Sequence, residues 1–103
     1  MNKFINVAIV GLGQIGIYLY NELKNKTKEI ENKTGKKIQV VAISAKNRNK
    51  KRKFRIDNKI FYSNPLKIFK EKKVDILFEC IGLSDGISKK VVEHALRKKI
   101  NVI

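Results

Sequence analysis

An α/β fold on a parallel sheet is predicted by three observations: apolar, β-branched runs recur along the chain, segments of helical periodicity separate them, and glycine turns mark the changeovers. The first run, residues 4–10 (FINVAIV), has the pattern of a strand buried on both faces. It leads directly into Gly11, Leu12, Gly13, Gln14, Ile15 and Gly16. Ile15, Leu19, Leu23 and Ile30 then repeat at helical spacing, with Gly16 and Tyr20 beside them on the expected inner face. Thr34 and Gly35 form a helix stop, and residues 38–44 (IQVVAIS) a second buried strand.

Residues 46–55 are cationic with little apolar content and are expected to be a surface connection. A short third strand is expected at 59–62. Asn64 before Pro65 supplies a cap and a first helical position for a short helix burying Leu66 and Phe69. Residues 74–80 (VDILFEC) form the next strand. The turn at 82–86 offers Ser84 or Asp85 as cap for a helix burying Ile87, Val91, Ala95 and Leu96, and a fifth strand begins at Ile100. Strands and helices in this order suit a Rossmann-type, doubly wound parallel sheet of about five strands, order 3-2-1-4-5. Ile103 falls inside the fifth strand, and the chain is expected to be a fragment that stops there.

At 103 residues there is room for one domain, burying roughly 60–65% of its unfolded surface. No apolar run approaches the roughly 20 residues a bilayer span needs. Cys80 is the only cysteine, so no intrachain disulfide or cysteine-based zinc cluster forms, and a cytoplasmic setting is expected. No metal-ligand spacing is present. The net charge of +15 is spread along the chain and comes mostly from lysine. That distribution favours a solvated basic surface over a nucleic-acid site; the latter, built around residues 46–55, is the alternative of a different class.

The glycine turn carries the functional expectation. Gly11 permits the tight turn, Gly13 lets a pyrophosphate approach the backbone, and Gly16 lets the helix pack close to the strand. The amides of Gly13, Gln14 and Ile15 would face the phosphates from the positive end of the helix dipole. A strand before the motif, an amphipathic helix after it and a second strand beyond give the motif the context it requires. The acidic residues about 20 positions on, Glu29 and Glu31, precede the second strand and belong to the far end of the first helix. At the end of the second strand stand Ser44, Ala45 and Lys46, followed by Arg48, with no carboxylate; this suits a 2′-phosphate. The turn after the fourth strand would line the nicotinamide side, Asp85 acting as a helix cap. Cys80 is expected to pack, since no base is identifiable nearby, and His94 to lie on the surface.

Four segments in order, VAIVGLGQIG (7–16), KTGKKIQVVAISAKNRNKKR (33–52), SNPL (63–66) and DILFECIGLSDGISKKVVEHAL (75–96), resemble the N-terminal domain of the homoserine dehydrogenases. The Ala45-Lys46 pair and the turn after the fourth strand are more specific to that family than the glycine motif. Leu83 departs from it, standing where a second glycine is usual. The resemblance implies NAD(P)-dependent interconversion of L-homoserine and L-aspartate 4-semialdehyde, a step toward threonine and methionine. By carry-over, Gly11, Gly13, Gln14 and Ile15 hold the pyrophosphate, with Leu12 and Gly16 completing the cofactor-binding turn, Ala45 and Lys46 hold the adenosine ribose, and Ile81, Gly82, Leu83 and Ser84 the nicotinamide side, with NADP or NAD as cofactor. In the family a functional lysine follows the fifth strand, and a substrate domain with the catalytic residues comes later; none of these positions falls within 1–103. The chain alone is therefore expected to bind the dinucleotide without turning over substrate, the full-length enzyme being a homo-oligomer. The cofactor domain of another amino-acid-pathway dehydrogenase is the nearest alternative.

Overall fold

The computed structural model describes residues 4–45, 58–81 and 86–103. Five parallel strands, β1 (Phe4–Val10), β2 (Lys37–Ser44), β3 (Phe61–Tyr62), β4 (Ile76–Glu79) and β5 (Asn101–Val102), form one sheet in the order β3-β2-β1-β4-β5. This is the predicted Rossmann-type topology. Helix α1 (Gln14–Thr34) follows β1, α2 (Ile68–Glu71) follows β3 and α3 (Gly86–Arg97) follows β4. Two single 3₁₀ turns, Asn58–Ile60 and Pro65–Lys67, precede β3 and α2.

Alternation along β1 sorts the core into two layers. Val7 and Ile9 face a cluster with Leu12, Tyr20 and Ile43, closed by α1. Ala8 and Val10 face a second cluster with Ala42, Leu77, Ile68, Phe69, Val91 and Ala95, closed by α2 and α3. Ile9, Ile43, Ile68 and Leu77 are fully buried, each contributing about 1.5–3 kcal/mol through removal of apolar surface from water. The β1–β2 register slips by one residue: Val7 pairs with Val40, but Ala8 pairs with Ala42. The extra residue, Val41, packs against the same layer as Ala42, and beyond this bulge Ile43 returns to the α1 side.

The sequence placed the helix faces less well than the strands. Gly16 and Tyr20 are buried as expected and Leu19 and Leu23 half-buried, but Ile15 is 75% exposed. In α3, Ser88 takes a core position beside Val91 and Ala95, Ile87 is half-buried and Leu96 is 60% exposed. The helix after Asn64 starts as a 3₁₀ turn and buries Pro65, Ile68 and Phe69, leaving Leu66 half-buried. In each case one apolar residue too many met the helical period, and the narrow contact with a sheet accepts fewer. The expected boundaries hold: Gly35 ends α1 in the left-handed region (φ 74°), and Asn64 caps the start of the next turn, accepting a hydrogen bond from the Leu66 amide at 3.0 Å. His94 is half-buried rather than on the surface, its ring stacked on Phe69 at 4.9 Å. The connection at 46–55 and the caps Ser84 and Asp85 lie outside the described residues.

Candidate cofactor site

Parallel strands bring the carboxyl ends of β1, β2 and β4 to one edge. Val10 is in register with Ser44 on one side and Glu79 on the other. The chain leaves β1 at Gly11, whose amide donates to the Ser44 carbonyl at 2.7 Å, and the Cys80 amide donates to the Val10 carbonyl at 2.8 Å. The glycine turn is thus clasped between its two neighbouring strand ends, at the point where the sheet order reverses. In open α/β sheets this crevice is where ligands bind.

The three motif glycines have different grounds. Gly11 has φ 99°, in the left-handed region, and a Cβ there would lie 2.8 Å from the Cys80 carbonyl carbon and 2.9 Å from the Ile81 nitrogen. A Cβ on Gly16 would collide with the Gly11 carbonyl oxygen. The constraint on Gly16 is therefore the returning loop itself, more than the helix-to-strand approach the motif suggested. Gly13 is different. It is exposed, its backbone is extended (φ −73°, ψ −164°), and a Cβ would meet nothing within 4 Å. Among the described residues, then, no contact requires the missing Cβ of Gly13, and the turn is open there.

Gly13 is also the N-cap of α1, with no side-chain cap and no acidic residue in the first turn. A helix start normally recruits a side-chain oxygen for its orphan amides. Here 21 residues of helix direct a positive dipole end at an uncapped turn, which fits a dinucleotide pyrophosphate.

Of the predicted site residues, Gly11, Leu12, Gly13, Gln14, Ile15 and Gly16 form this turn. Leu12 buries its side chain in the α1-side core, so only its backbone faces a ligand. Ile15, in the first turn of α1, is exposed. Ala45 follows the Ser44 carbonyl and packs against the α1-side cluster, and Ile81 packs against the other layer. Lys46, Gly82, Leu83 and Ser84 lie outside the described residues. Glu29 and Glu31 sit near the end of α1, about 22–26 Å along the axis from its start, as the order of elements required.

Two features escaped the motif reading. Glu79 folds its carboxylate back to accept from the Ile81 amide, shaping the β4 exit against which Gly11 lies. Cys80 is half-buried between the turn and the α1-side core; burial, and then the Glu79 charge, pushes its thiol pKa above the ordinary value. A thiol held protonated matches the expected packing role. No signal short of the strand pairing reveals either contact. Among the described residues no cluster of histidine, cysteine and carboxylates could hold a metal, and no helix is long and apolar enough to cross a membrane.

Comparison with known proteins agrees with this geometry. Homoserine dehydrogenase of Neisseria gonorrhoeae is 26% identical over 101 residues, covering 98% of this chain and 23% of that protein. The crystal structure of Staphylococcus aureus homoserine dehydrogenase at pH 6.5 superposes with a TM-score of 0.86 at 24% identity, over 99% of this chain and 26% of that one. That of Thiobacillus denitrificans gives 0.79 at 24% identity, over 97% and 23%. This chain spans about a quarter of the length of these relatives. A family model described as "Oxidoreductase family, NAD-binding Rossmann fold" matches residues 5–103. Nearly the whole chain, core and glycine turn alike, thus belongs to the NAD-binding Rossmann-fold oxidoreductase family.

Proposed function

We propose that this chain is the cofactor-binding portion of a homoserine dehydrogenase, working in the cytoplasm and preferring NADP. The observation that carries the reading is Gly13, the one motif glycine at which a Cβ would meet no described residue. The substrate assignment is supported by a curated relative, a homoserine dehydrogenase matched along nearly all of this chain.

In this reading the amides of Gly13, Gln14 and Ile15 bind the pyrophosphate, and the Leu12 backbone completes the turn. Ala45 and Lys46 hold the adenosine ribose, while Ile81, Gly82, Leu83 and Ser84 border the nicotinamide. The bound dinucleotide supplies hydride transfer; the chain's own residues bind it, orient it and exclude water from one side. Substrate binding and proton transfer are assigned to residues outside 1–103, and so is self-association of the whole enzyme.

Preference for NADP rests on the residues after β2. Ser44, Ala45, Lys46 and Arg48 present positive charge and no carboxylate that would repel a 2′-phosphate. One exposed charge-assisted contact contributes roughly 1–2 kcal/mol, or about five- to thirty-fold in affinity. Calorimetric titration is expected to show NADP binding tighter than NAD, by a margin that shrinks with salt and largely disappears in Lys46→Ala. Equal affinities in the parent, or a preference that Lys46→Ala leaves intact, would refute the assignment of that lysine.

A further inference from the structure

Parallel strands also gather the opposite, amino-terminal end of the sheet, and there each helix-to-strand connection carries a lysine pair: Lys36-Lys37, Lys72-Lys73 and Lys98-Lys99. The last two pairs line one groove of about 500 Å³ after the ends of α2 and α3, together with Phe69, Val74 and Ile100. Its volume falls within the range of small-molecule sites. We propose that this groove binds a small, multiply phosphorylated anion, at a site remote from the glycine turn.

The walls are fixed by the chain's own bonds. The Lys98 ammonium donates to the Phe69 carbonyl at 2.9 Å, tying the end of α3 to α2. The Ile100 amide donates to the Ala95 carbonyl at 3.0 Å and the Lys99 amide to the Leu96 carbonyl at 3.1 Å, closing α3 in a Schellman turn. Lys99 holds φ 60° at the position glycine usually fills. The only carboxylate on the groove is Asp75, which accepts from the Asn6 amide at 2.8 Å. Four lysines therefore share one concave surface with a single carboxylate committed elsewhere. A lysine offset to a helix dipole needs no groove and no second pair within it. A compact phosphate chain would reach both pairs, where a flat basic surface would hold it at one.

Inorganic tripolyphosphate is the probe. Titrated into the ¹⁵N-labelled protein, it is expected to shift the amides of Lys72, Lys73, Asp75, Lys99 and Asn101. Lys72→Ala/Lys73→Ala should weaken that response about ten-fold, and Lys36→Ala/Lys37→Ala, which removes the same two charges, less than about two-fold, since the first pair lies outside the groove. Circular dichroism establishes that both variants are folded, and their common loss of charge separates a built groove from diffuse attraction. Shifts confined to the glycine turn, equal weakening by the two variants, or tighter binding of an oligonucleotide weakened equally by both, would overturn the proposal.

Discussion

At the scale of single residues, backbone conformation and close packing decide more than side-chain identity. Lys99 sits in the left-handed region, which costs a non-glycine residue roughly 1–2 kcal/mol. Glycine there removes the strain but gains freedom in the unfolded chain, returning part of it. Lys99→Gly is expected to stabilise the protein by about 0.5–1 kcal/mol, raising Tm by roughly 2–6 °C in thermal unfolding. Cys80 makes the complementary case for burial. Its thiol pKa is raised in the folded state, first by burial and then by Glu79. The protonated form is the one the fold favours, so this contribution to stability is complete below the unfolded thiol's pKa and lost as pH rises through the folded one. Alkylation by iodoacetamide at neutral pH should accordingly be slower than in denaturant-unfolded protein, since the thiolate is the nucleophile. Equal rates in the two states would show that Cys80 is open to solvent.

At the scale of elements, strands were more legible than helix faces. A strand buried on both sides needs only a continuous apolar run, and β1 and β2 are such runs. A helix on a sheet must choose one stripe, and Ile15 and Leu96 satisfy the helical period without being chosen. The bulge at Val41 left no trace in composition, because Val40, Val41 and Ala42 suit either register equally. Caps were legible, since their mechanism is local. The Asn64 side chain accepts from the Leu66 amide, and Pro65 follows at the position that needs no donor. Asn64→Ala should cost about 1 kcal/mol in chemical denaturation with an unchanged slope, because one cap is lost and no surface is newly exposed. A cost near zero would mean that the 3₁₀ turn is held by Ile68 and Phe69 burial alone.

At the scale of the whole molecule, topology turns a short glycine motif into a site. The motif alone predicted a turn with three special positions. Only the fold shows that the Gly11 conformation and the Cys80 backbone account for one, that the Gly11 carbonyl accounts for another, and that a Cβ on Gly13 would meet none of the described residues. The sequence order of strands sufficed to set Glu29 and Glu31 aside and to place Ala45 near the turn. The central claim is that Gly13 is glycine for a dinucleotide's sake. Valine is sterically allowed at its extended backbone, and the change of N-cap should cost no more than about 1 kcal/mol. The deciding measurement is calorimetric titration of NADP into the parent and into Gly13→Val, with the Tm of both. The account predicts a variant that stays folded and binds at least about ten-fold more weakly, its valine standing where the pyrophosphate must lie. A folded Gly13→Val that binds NADP as tightly as the parent would contradict it.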